Sequence, residues 1–323
     1  MPTKKELLLK YAQQVRRRDI AWDREYSKLL PPDEEFIESL RLLVDYDYPS
    51  ERLLEIANDP VLQMQALLQD VLEDVQGFLP EHCRCKADQS IVGLLPRSEV
   101  NASCFGSQAG ITDGYLIGLN SGLIHGTGLV SAALIADTHP SVEKPTGRDF
   151  FDASLRFFSK GSPEDFEKSI QLTIGLPPEV QVLVGANHSV MLWFVTLHEC
   201  GHIVHGDVDN GRATSHAISH EKSTYHPPTW EEEYAADQFA LESFLLNRPN
   251  AERAWTNYAT VDLLYRWLDL ATQRAKASQD YPPTNARLHR LRQWMCATWG
   301  DDPSNHLQTL DDLWHRWIKE TEV

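Results

Sequence analysis

The chain has 323 residues, 42% of them hydrophobic, with a formal net charge of −17 and a pI near 5.1. That length and apolar fraction describe a globular protein of one large or two ordinary domains and exclude a disordered one. The acidic balance excludes a uniformly basic nucleic-acid footprint, so no nucleic-acid partner is expected, and its ordinary consequence is solubility.

From the N-terminus, residues 3–78 read as helices. Leu7, Tyr11, Ala12, Val15 and Ile20 keep helical spacing, Pro31-Pro32 interrupts, and Phe36, Ile37, Leu40, Leu43 and Val44 form a second stripe. Asp59-Pro60 starts a further helix, with proline at its first position, that runs to Gly77. Leu7-Leu8-Leu9 is too short for a secretory h-region. The longest apolar stretch, Gly122 to Ala136, is interrupted by His125 and Thr127 and falls short of the roughly 18 residues of a membrane span. No membrane association is expected. The five cysteines show no disulfide spacing, and Cys83, Cys85 and Cys104 lack a fourth ligand at any standard metal spacing. Reduced thiols in a cytoplasmic protein fit this pattern.

After Pro80 the composition shifts to Gly, Ser, Val, Ile and Leu. Ser90–Leu95 and Gly114–Leu119 are predicted strands, the second entered through an Asp113-Gly114 turn. An apolar helix is predicted from about Leu123 to Ile135, then a linker from Pro140 to Pro145. Ser162-Pro163-Glu164 opens a short helix, and Pro177-Pro178 is a break. A helix is predicted from about Ser189 to a stop at Gly206. Asp207–Pro228, carrying His216, His220 and His226, reads as a polar loop. Thr229 and Glu232 have capping-box spacing for the next helix. Three more helices are predicted near 251–277, 284–298 and 307–320. The tryptophans 294, 299, 314 and 317 read as core.

The chemistry lies at His198-Glu199-Cys200-Gly201-His202. Two imidazoles four residues apart on a helix share a face and can bind one metal ion. Glu199 flanks that face, where a general base for an activated water belongs. Gly201 allows another backbone to approach closely. A catalytic zinc takes three protein ligands and keeps one open position, so a third ligand is required. The best candidate is Glu233, in the second turn of the helix opened by Thr229. Asp237, one turn further on the same face, can orient a ligand imidazole. Ala236 and Ala240 are small enough for two helices to pack tightly around the ion. Glu231 and Glu232 lie on other faces of that helix. His205 shares a face with His202, but His205 and Val208 do not fit the metzincin spacing. His216, His220 and His226 read as solvated loop histidines.

His-Glu-x-Gly-His followed by Glu-x-x-Ala-Asp-x-Phe-Ala resembles the gluzincin-type zinc metallopeptidases. The CAAX prenyl protease and heat-shock membrane protease branch shares the Glu-x-x-Ala-Asp block, and its later Ser/Thr-His-Pro-Pro-Thr-x-x-Arg block is similar to Tyr281-Pro282-Pro283-Thr284-Asn285-Ala286-Arg287, with Tyr281 in place of the histidine. The soluble ImmA/IrrE branch is similar in the short interval between motifs, although it often has Asn where Asp237 stands. The resemblance covers about residues 190 to 290. It implies Zn2+ held by His198, His202 and Glu233, with Glu199 as general base and proton shuttle. Tyr225, His226 or Tyr281 could supply an oxyanion donor. Arg287 could pair with Asp237 or be an ordinary surface arginine. Gly114–Leu119 could be an edge strand that pairs with extended substrate or a core strand with no direct role.

The expected fold is α+β, a mostly helical zincin-like metallopeptidase with a small sheet. Residues 1–80 are read as a helical N-terminal segment and 81–323 as the metallopeptidase domain. The expected activity is hydrolysis of a protein or peptide substrate. Endopeptidase is favoured over aminopeptidase, because no acidic or Gly-Ala-Met-Glu-Asn-like amine anchor is present. The alternative is a non-catalytic, regulatory zinc-binding protein that captures a partner through its helical N-terminal segment.

Overall fold

The structure, a computed structural model, describes residues 68, 71–87, 90–95, 100–106, 114–142, 146–160, 175–209, 214, 228–245, 250–272 and 281–319. The helices expected before residue 68, the short helix at Ser162 and the loop residues Tyr225, His216, His220 and His226 lie outside these. The fold is mostly helical with one small mixed sheet, an α+β architecture. The described residues fall into two compact units. One holds those up to Ser121 and Val195–Ser243, the other Gly122–Phe194 and those from Phe244 onward.

In the first unit a helical stretch over 71–78 leads into α1 (Glu81–Ala87) and the strands β1 (Ser90–Leu95), β2 (Ala102–Phe105) and β3 (Tyr115–Asn120). Both predicted strands are present, and the four-residue β2 is an addition. The sheet order is β1-β3-β2. β3 runs parallel to β1, with Ser90 opposite Tyr115, and antiparallel to β2, with Cys104 opposite Ile117. Val92, Cys104, Ile117 and Leu119 are buried in this unit, as are Val71, Leu72, Val75 and Leu79 of the stretch before α1. The sheet decides between the two readings of one strand. The Gly114–Leu119 strand is central, with both backbone edges bonded to neighbours, so an extended peptide cannot add to it.

The second unit is built from helices: α2 (Ser121–Thr138, its first residue in the other unit), α3 (Thr146–Lys160), the first part of α4 (Pro178–His205), α6 (Ala251–Thr272), α7 (Thr284–Trp299) and α8 (His306–Lys319). α5 (Trp230–Leu245) belongs to the first unit up to Ser243. Trp255, Trp267 and Trp317 are fully buried. The indole N–H of Trp267 donates to Ser154 Oγ at 3.1 Å, and that of Trp317 to Asp137 Oδ2 at 2.9 Å. Phe151 stacks on Trp317 with centroids 4.9 Å apart. The aromatic bodies are thus dry, and the polar handles of Trp267 and Trp317 each have a partner. α4 starts eleven residues before the expected Ser189, with Pro178 as its first helical residue. By length and composition it is apolar enough to cross a membrane, so Gly122–Ala136 is not the longest apolar stretch. The same apolarity suits a core helix: Met191, Leu192, Phe194 and Leu197 are all buried.

Candidate metal centre

His198 and His202 sit in the last two turns of α4, where the side chains of Leu197, Cys200 and Ile203 are buried. The helix then stops in a Schellman motif. Gly206 has φ +85°, its N–H donates to Ile203 O at 3.2 Å, and the Asp207 N–H donates to His202 O at 2.9 Å. This reversal stacks residue 207 over residue 202. The carboxylate of Asp207 then meets His202 Nδ1 at 2.8 Å.

The third residue arrives on α5. The Glu232 N–H donates to Thr229 Oγ1 at 3.3 Å, and the Glu232 carboxylate accepts from the Thr229 N–H, a reciprocal capping box. One residue on, Glu233 is 2% exposed. α5 crosses α4 at Gly201, where a Cβ would stand 2.9 Å from Ala236 Cα. Only a glycine lets the helices meet this closely, and that approach carries Glu233 to the histidines.

His198, His202 and Glu233 each offer one donor atom, and the three lie within 4.8 Å of one another. The two Nε2 atoms are 3.2 Å apart. Glu233 Oε2 is 3.5 Å from His198 Nε2, and Oε1 is 3.8 Å from His202 Nε2. Donors on a tetrahedral zinc at bond lengths of about 2.0–2.1 Å stand roughly 3.3–3.4 Å apart. The spacing fits a small divalent cation, and two imidazoles with a carboxylate suit zinc. Among the described residues no other such group is present.

Each imidazole has a carboxylate behind it. Asp207 hydrogen-bonds His202 Nδ1, and Asp237 Oδ1 lies 2.8 Å from His198 Nδ1 as an ion-pair contact outside hydrogen-bond geometry. Both pairs leave Nε2 for a metal. Burial lowers the His202 pKa, but the Asp207 hydrogen bond and the charges of Glu233 and Glu199 outweigh it, and the net shift is upward. Glu199, 5% exposed, stands outside the donor group and accepts from Thr214 Oγ1 at 3.3 Å. The neighbouring Cys200 thiol is pushed up to about 12 by burial, Glu199 and Cys83. Cys83, Cys104, Cys200 and Cys296 are free thiols.

The sequence reading named the two histidines, Glu199, Glu233 and Asp237, and the structure brings His198, His202, Glu233 and Asp237 together. It missed Asp207 and Thr214. His205 is exposed and edge-on to Phe239. Arg287, on α7, stacks over Tyr265 with its guanidinium carbon 4.9 Å from the ring centre. Tyr281 begins the turn before α7, in the other unit.

Residues 176–304 match the family model Peptidase U49. The matched stretch contains every donor above and both of their carboxylate supports, and it supports a peptidase function. It does not distinguish a CAAX-protease from an ImmA/IrrE branch. No curated protein and no solved structure matches the chain.

Proposed function

We propose that this protein is a zinc-dependent endopeptidase of gluzincin type that hydrolyses peptide bonds of a protein or peptide substrate in the cytoplasm, without nucleic acid or membrane as partner. The observation that carries this reading is the convergence of His198, His202 and Glu233 from two helices beside a buried carboxylate, Glu199, that is not part of the donor group. The peptidase match over the same residues supports it.

In this reading His198 and His202 hold zinc through Nε2 and Glu233 through its carboxylate. Bound zinc supplies Lewis acidity, which polarises the scissile carbonyl and makes water a better acid. Asp207 holds the His202 ring in the tautomer with Nε2 free, and the Asp237 carboxylate lies against Nδ1 of His198. Glu199 would take the proton of the attacking water as the C–O bond forms and then return it to the leaving amine nitrogen as the C–N bond breaks. The sequence carries no Gly-Ala-Met-Glu-Asn-like amine anchor, which favours internal cleavage. A site that only captured a partner would have no use for a buried, unligated carboxylate beside the donors.

The test is Glu199→Gln in zinc-loaded full-length protein with a pool of internally quenched peptides. Cleavage should fall by about 10²–10⁴ with zinc content unchanged. Undiminished cleavage would remove Glu199 from the mechanism.

A further inference from the structure

Glu199 is held from the sheet side by a residue far away in the chain. The Cys104 N–H on β2 donates to Thr214 Oγ1 at 3.0 Å, and the Thr214 N–H donates to Cys104 O at 3.2 Å. Thr214 is thereby clamped to the outer edge of β2. A hydroxyl has one proton to give. With its oxygen already accepting from Cys104, Thr214 directs that proton to Glu199 Oε2, 3.3 Å away. Cys104, Glu199 and Thr214 are 0%, 5% and 7% exposed, so solvent does not compete for these contacts. Burial first, and then Glu199, holds the Cys104 thiol well above the usual thiol range. The thiol therefore stays protonated.

We propose that Thr214, clamped to Cys104 at the edge of β2, is a positioning residue that fixes one oxygen of the Glu199 carboxylate and leaves the other directed at the attacking water. The proposal rests on the metallopeptidase reading above. A carboxylate bound at one oxygen loses rotational freedom, so its second oxygen stays where proton transfer requires it. The device also explains why a strand edge and a loop residue 110 positions apart in the chain meet at this carboxylate.

The experiment compares Thr214→Val and Thr214→Ser in the full chain. Valine keeps the shape and removes the hydroxyl, whereas serine keeps the hydroxyl and loses a methyl. Each variant is assayed for zinc content, for kcat and KM on a peptide cleaved by the wild type, and for affinity toward acetohydroxamate, whose hydroxyl would bond Glu199. Thr214→Val should retain zinc and a KM within about two-fold, and lose roughly ten-fold or more in kcat, a fraction of a general base's contribution. Its acetohydroxamate Kd should rise several-fold. Thr214→Ser should stay within about three-fold of wild type on every measure. Equal losses in both variants would make Thr214 a packing residue. Full kcat in Thr214→Val, with Glu199→Gln inactive, would overturn the positioning role and spare the metallopeptidase reading. A zinc-loaded wild type whose cleavage is indifferent to Glu199→Gln would overturn both.

Discussion

Each imidazole of the candidate metal site has its own carboxylate, and the two carboxylates reach their rings by different routes. Asp237 follows Glu233 by one helical turn, so it shares the face that meets α4 and stands 2.8 Å from His198 Nδ1. Asp207 depends on the chain reversing at Gly206, which lays it over His202. Replacing either by asparagine keeps shape and removes charge. Asp207→Asn and Asp237→Asn should each weaken zinc binding by about 10–100-fold, measured by competition with a chromogenic chelator. Unchanged affinity in both would show that the rings need no such support. The difference in route explains what the sequence revealed. Glu233 and Asp237 were legible because helical periodicity alone places them. Asp207 and Thr214 were not, because a turn conformation and a strand-edge pairing decide where they point.

At the scale of elements, the α4–α5 crossing brings the third donor in. Gly201→Ala would drive a methyl to 2.9 Å from Ala236 Cα, and backbone cannot yield as a flexible side chain can. The helices should part, costing about 1–3 kcal/mol of stability and lowering zinc affinity. Gly185→Ala on the same helix meets nothing within 4 Å and should stabilise by roughly 0.5–1 kcal/mol. Urea unfolding of the two variants checks the contrast, and equal effects would contradict the crossing. Of the elements, β1, β3, the capping box at Thr229 and the three C-terminal helices were readable from runs, turn pairs and periodicity. β2 was not, since its four residues carry a serine and a cysteine and its one partner strand among the described residues is β3. α3 was missed because its buried face, Phe150, Phe151 and Ser154, includes a serine that becomes a core residue only by accepting from Trp267. The early start of α4 was hidden by Gly185, Ala186, Asn187 and His188, which interrupt the apolar pattern.

Across the whole molecule, buried ionisable groups tie stability to pH. In the second unit burial lowers His125 to about 3, with His188 adding to the shift, and lowers His188 to about 4. Both rings are neutral when folded, and unfolding restores a value near 6.5. Their stabilisation is complete above pH 6.5 and is lost as pH falls toward 4 and 3, about 2 kcal/mol for either ring at pH 5. His202 has the opposite sign in metal-free protein: its raised pKa stabilises below pH 6.5, and the gain vanishes as pH rises through the folded value. Thermal unfolding of metal-free protein should show Tm falling from pH 7 to 5, and His188→Leu should flatten that slope. A slope identical in wild type and variant would contradict the buried-neutral assignment. Zinc, binding only the folded chain, should raise Tm by mass action, and a chelator should reverse it. The most direct measurement is zinc stoichiometry with X-ray absorption of the loaded protein, beside His198→Ala, His202→Ala and Glu233→Ala. The account predicts one zinc per chain with two imidazole nitrogens and a carboxylate oxygen at about 2.0–2.2 Å, and loss of tight binding in each variant. A full equivalent of tightly bound zinc in Glu233→Ala, with an unchanged absorption spectrum, would contradict it.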